Sequence, residues 1–193
     1  QSSPAEVQLT LSIFLIGFAI GQALHGPLSD RYGRKPVILI GLLCYGLASA
    51  ACALSSSIDQ LQLARLFQGL AGASGSVLAR SVIRDLYQGD QLAKAMSWLM
   101  LILTAGPMLA PTIGSLVLSW WGWQAIFWTL GGFALLWAVL ILIRVPESRA
   151  PEHRLALTPA AITSAFGSVL RHPQAMGFAL CGGFAFAGMF AYI

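Results

Sequence analysis

The chain has 193 residues, of which 57% are hydrophobic and only 9% are Asp, Glu, Lys or Arg, and its mean hydropathy is +0.75. So few charges cannot cover a soluble sphere, because ordinary soluble domains carry about 25% charged residues, and so much apolar content excludes disorder. A net charge of +4, dispersed over loops, is too small for a nucleic-acid surface, which leaves an integral membrane protein.

Charge-free runs mark the spans, since a helix needs about 20 apolar residues to cross a bilayer. The first run, 23 residues between Glu6 and Asp30, predicts a helix over 7–26. It holds Gly17 and Gly21 as a small-residue face for close helix packing, and His25 at its end. Next, Gly26-Pro27-Leu28-Ser29-Asp30-Arg31-Tyr32-Gly33-Arg34-Lys35-Pro36 reads as a tight turn between two helices. Gly26 and Gly33 permit unusual dihedrals there, and Asp30 can cap a helix or pair with a cation. A second run of 23 residues, between Lys35 and Asp59, predicts a helix over 37–56. The third span, 61–80, contains a single charge, Arg65, in Arg65-Leu66-Phe67-Gln68-Gly69-Leu70-Ala71-Gly72.

A charge within a span costs about 2.5–3.5 kcal/mol on insertion scales, so it marks either function or a side chain reaching back to the interface. By residues alone, both readings of Arg65 stand. The 49 uncharged residues between Lys94 and Arg144 accommodate two spans, 95–118 and 123–143, divided at Trp120-Trp121-Gly122-Trp123; tryptophans favour the membrane interface. Within the first of these, Pro107 and Pro111 remove two backbone donors and predict a kink. After a polar stretch, 173–193 forms a sixth span. Thr158-Pro159, followed by Ile162, Phe166, Val169 and Leu170 at helical spacing, predicts a short amphipathic helix before it.

The connections 27–36, 81–94 and 144–172, with Arg80 at the edge, hold ten of the eleven basic residues. The positive-inside rule makes that side cytoplasmic. Cys44, Cys52 and Cys181 lie within spans, and neither they nor the three histidines show disulfide or metal spacing. No cofactor or metal site is therefore expected. A membrane hydrolase would need a nucleophile and base that converge in the spans, and no such set is present; a catalytic role is not expected.

The loop around Asp30 resembles the G-x-L-x-D-R-x-G-R-K signature of the major facilitator superfamily, which joins that fold's second and third helices. The resemblance implies that Gly26, Asp30, Arg31, Gly33, Arg34 and Lys35 form a conformational latch, a charge network between bundles, with Arg80 or Arg84 as a basic partner. Arg65, Gln68 and Gly69 are similar to the fourth-helix R-x-x-Q-G motif of proton-coupled antiporters, which implies a part in proton coupling and a guanidinium facing the bundle interior. Gly106, Pro111 and Gly114 match the fifth-helix antiporter motif, Ala110 and Ser115 stand where it has glycines, and Pro107 is additional. The paired prolines, and the segment from Arg80 to Ala95, resemble the bicyclomycin/chloramphenicol-resistance branch of multidrug:proton antiporters.

The implied fold is an all-α membrane protein with six helices, corresponding to helices two to seven of twelve. Residues 1–145 would be five helices of the N-terminal bundle, 146–172 a cytoplasmic linker, and 173–193 the first helix of the C-terminal bundle. The implied function is efflux of small amphipathic drugs in exchange for protons across the bacterial inner membrane by a monomer; nutrient uptake or metabolite export by another member of the superfamily is the alternative. No span contains Asp or Glu in its core, so the proton-binding acid is expected outside this sequence, most naturally in the first helix. The 193 residues alone are expected not to transport.

Overall fold

In lipid each backbone donor must find its acceptor within its own segment, and the apolar runs accordingly form helices. The computed structural model describes residues 4–148, 167 and 170–192. Its helices are α1 (Pro4–Tyr32), α2 (Arg34–Ala53), α3 (Ile58–Leu86), α4 (Gly89–Trp121), α5 (Trp123–Arg144) and α6 (Pro173–Tyr192), with no strand among the described residues. The chain divides into two compact units, Gln1–Arg154 and Leu155–Ile193, and α6 belongs to the second. The amphipathic segment expected over 158–171 lies almost wholly outside the described residues.

The helices overrun the expected spans. α1 continues through Gly26 and Pro27 for 29 residues, or about 43 Å at 1.5 Å per residue. The expected turn over 26–36 is therefore corrected to one residue. Gly33 alone breaks the helix, at φ 101°, a region other residues rarely enter. Gly26 is helical. His25 is also not a helix end: it is buried within α1, and its Nδ1 lies 2.7 Å from the Gly21 carbonyl, so that nitrogen carries the proton. A second single-residue joint, Gly122 at φ 82°, separates α4 from α5 inside the tryptophan cluster.

By length and apolarity, α1 from Ala5, α2, α4 and α5 each suffice to cross a bilayer. α3 has the length, at 29 residues, but Gln60, Gln62, Arg65, Gln68 and its glycines and serines dilute it. Packing explains this composition. α3 is held between α1 and α2, its most extensive neighbours. A Cβ at Gly17 or Gly21 would fall on the Leu66 or Leu70 carbonyl of α3, and one at Gly69 on the Phe14 carbonyl of α1. Two helices approach this closely only where side chains are absent. α2 packs next against α5, with Cys52, Ala53, Ala64 and Phe127 forming one buried cluster and Val37, Ile38 and Leu78 another. α4 has no buried residue among those described.

Candidate functional site

Two polar clusters stand out in a bundle otherwise held by apolar and small residues. The first lies where α1 meets α2. Gly33 carries no side chain to cap α2, leaving the first backbone donors of that helix without a local partner. Glu147, three residues past the end of α5, supplies the missing acceptor. Its carboxylate accepts from the backbone N–H of Arg34 at 2.9 Å and of Lys35 at 3.2 Å. A negative charge at this position also complements the helix dipole.

The Arg34 side chain turns inward and is buried. It pairs with Asp30 at 2.9 Å and with Asp85 of α3 at 3.1 Å, and donates to the Ser29 hydroxyl. Ser148 donates to the same Asp85 oxygen at 3.3 Å, and Lys35 Nζ donates to the Leu142 carbonyl at 2.9 Å. The cluster thus joins the ends of α1, α2, α3 and α5. The α3 side chain that meets this turn is Asp85 rather than Arg80 or Arg84. Arg31 points elsewhere: it is exposed, over the Tyr32 ring.

Asp85 and Glu147 were not singled out in the sequence. The available signal was that each is an acid close to the C-terminal end of a helix, Asp85 in the last turn of α3 and Glu147 three residues past α5, in stretches otherwise dominated by cations.

The second cluster surrounds Arg65. Its guanidinium carbon lies 5.2 Å from the ring centroids of both Phe14 on α1 and Phe127 on α5, within reach of a cation–π attraction. One terminal nitrogen donates to Gln68 Oε1 at 2.9 Å. Gln68 is fully buried, and its amide nitrogen donates to the Ser49 hydroxyl of α2 at 2.8 Å. The Cys52 thiol approaches the same Oε1 at 3.8 Å. Arg65 Nε is buried and has no hydrogen-bond partner among the described residues. A buried donor without a partner is costly. Here the guanidinium is enclosed by side chains of three helices rather than extended to a helix end. Gly69 serves the α1–α3 contact and not the cluster.

Phe14 also lines a cavity of about 330 Å³ with Phe18, Tyr45, Phe133 and Trp137. An aromatic cavity beside one cation suits the flat, amphipathic molecules that stack on rings. The paired-proline motif lies apart from both clusters. Gly106, Pro107, Ala110 and Pro111 are exposed on α4, and Gly114 is half-buried.

Over residues 1–193 the chain matches the Major Facilitator Superfamily. It is 35% identical over 191 residues to the bicyclomycin resistance protein homolog of Haemophilus influenzae, a match covering 99% of this chain and 48% of the relative. With multidrug resistance protein D of Escherichia coli it shares 39% identity over 121 residues, 63% of this chain and 31% of that protein. The fold is similar to the crystal structure of the human organic anion transporter MFSD10 (TETRAN), with a TM-score of 0.69 at 22% identity over 84% of this chain and 39% of that one. The chain spans about half the length of the curated relatives that match nearly all of it.

Proposed function

The chain belongs to the major facilitator superfamily, a family of transporters rather than enzymes, and from that premise we propose that the protein is a multidrug efflux transporter that exchanges small amphipathic drugs for protons. It would act as a monomer in the bacterial cytoplasmic membrane, two helical bundles rocking about a midplane cavity. In this reading residues 1–145 would contribute five helices to the first bundle, 146–172 would be the linker, and 173–193 would open the second. The observation that carries the proton-coupled reading is Arg65, a half-buried cation whose buried Nε has no hydrogen-bond partner among the described residues, beside an aromatic cavity. A charge held there at such cost is of most use if its surroundings change charge during the cycle.

All seven acids of the chain lie outside the apolar stretches. The proton-binding carboxyl is therefore assigned to the part of its relatives' length that this chain does not span. Expression of the complete reading frame in an efflux-deficient bacterium tests the proposal. Drug accumulation should fall, and a protonophore should restore it. Efflux that persists with the gradient collapsed, or gradient-driven uptake, would point to a different transporter of the same fold.

The cluster around Arg34 is the proposed latch, which sets the relative stability of the two access states. Asp30→Asn removes a charge from Arg34 but leaves Asp85 in place, so the protein should reach the membrane at near-normal levels. Efflux should fall about fivefold, the effect of a shift of about 1 kcal/mol between states. Unchanged efflux would remove Asp30 from the latch.

A further inference from the structure

We propose that Ser49, a residue of α2 outside every motif above, is a positioning residue for Arg65, acting through Gln68. The inference rests on the proton-coupling reading of Arg65 and adds a determinant to it.

The argument is one of hydrogen-bond polarity. The Ser49 hydroxyl lies 2.8 Å from the Tyr45 carbonyl, one turn earlier in α2. A carbonyl only accepts, so the single hydroxyl proton is committed there, and the Ser49 oxygen can only accept from its other neighbour. That neighbour is the Gln68 amide, 2.8 Å away, which must therefore present its nitrogen. Its Oε1 then necessarily faces the other way, toward Arg65, whose guanidinium can only donate and does so at 2.9 Å. The Cys52 thiol, three residues after Ser49 on the same face, reinforces this orientation as a weak donor to Oε1. Both ends of the relay thus require the same amide orientation. Ser49 and Gln68 are fully buried, so water does not compete for either position.

Without the Ser49 oxygen, the Gln68 nitrogen would be a buried donor lacking an acceptor. The amide would then be held only through Oε1, by Arg65 and the weak Cys52 thiol donor, so the direction in which Oε1 meets the guanidinium would be fixed less firmly. Ser49→Ala therefore weakens the hold on Arg65 without altering the guanidinium or the α1–α3 contact.

The test compares two rates in vesicles containing the complete protein: efflux driven by an imposed proton gradient, and drug counterflow at equal pH, which needs no net proton movement. Ser49→Ala should lower the ratio of the first to the second about threefold to tenfold, the range that one net buried hydrogen bond supports. A purely structural role would lower both rates together and leave the ratio at its wild-type value, overturning the proposal. Ser49→Cys keeps the shape but offers a poor acceptor, so it should lower the ratio even if the alanine protein fails to accumulate. Arg65→Gln, measured alongside, separates the two levels. If Arg65→Gln keeps the wild-type ratio, the proton-coupling reading falls. If it loses the ratio while both Ser49 variants keep it, only the role of Ser49 falls.

Discussion

Gly69→Val is expected to eliminate nearly all folded protein, whereas Gly75→Ala, two turns along the same helix, should leave the amount unchanged. Gly69 is where α3 touches the backbone of α1, and an added Cβ would fall on the Phe14 carbonyl. Gly17 and Gly21 make the reciprocal contacts from α1 onto the Leu66 and Leu70 carbonyls. The obstruction is backbone on a helix of 29 residues, and no rotamer change relieves it.

Inserting a single methylene into a packed core costs about 1–3 kcal/mol when side chains can yield. Here the helix pair must separate along its length, losing contacts at all three glycines together. In lipid such contacts are the main force between helices, because lipid tails solvate apolar side chains as well as another helix does. Gly75 has nothing within 4 Å of a built Cβ, and replacing glycine by alanine within a helix is favourable by about 1 kcal/mol in propensity. Size-exclusion profiles and melting of the detergent-solubilised proteins measure the difference. Equal monodisperse yields from the two variants would show that α1 and α3 do not depend on close approach.

Helix identity was legible because lipid imposes a simple requirement: long apolar runs must satisfy their own backbone. The run ending near Gly26 was visible, but the helix end at Tyr32 was not. Ser29 and Asp30 read as loop residues by polarity, yet Ser29 bonds back to the Gly26 carbonyl at 2.8 Å and Asp30 pairs with Arg34, so the helix continues. Gly33 signalled the turn correctly, since an αL-side dihedral favours glycine.

Long-range partners were illegible for a different reason. Glu147 caps α2 from 113 residues away, and no local pattern encodes which loop acid meets which helix start. The Arg65 cluster was half legible. Gln68, at i+3 from Arg65, faces it by helical spacing, whereas Ser49 and Phe127 are brought there only by the packing of α2 and α5 around α3. α4 shows the converse: its paired prolines were conspicuous in sequence, and none of its residues is buried.

Arg65→Ala should abolish proton-driven efflux while leaving the folded protein close to wild-type abundance. The two halves of this expectation have separate causes. Stability is preserved because Arg65 costs the fold much of what it contributes. Its Nε is buried and unsatisfied, so truncation removes an orphan donor along with the bond to Gln68. The Gln68 oxygen keeps the Cys52 thiol as a neighbour, and its amide keeps Ser49. Transport is lost because no other cation lies within the apolar part of these helices. A unit charge about 6 Å from a titrating carboxyl, at an effective dielectric of about 20, shifts its equilibrium by about 3 kcal/mol. That is about two pKa units, or a hundredfold in protonation. A carboxyl deprived of that charge would stay protonated through the cycle and could not release its proton to the cytoplasm. Arg65→Lys separates charge from shape: an ammonium restores the field but cannot span Gln68 and both phenyl rings with one planar group. It should recover part of the efflux. Full activity of Arg65→Ala in intact cells, with sensitivity to protonophore unchanged, would return this arginine to a structural role and leave proton coupling to groups beyond these helices.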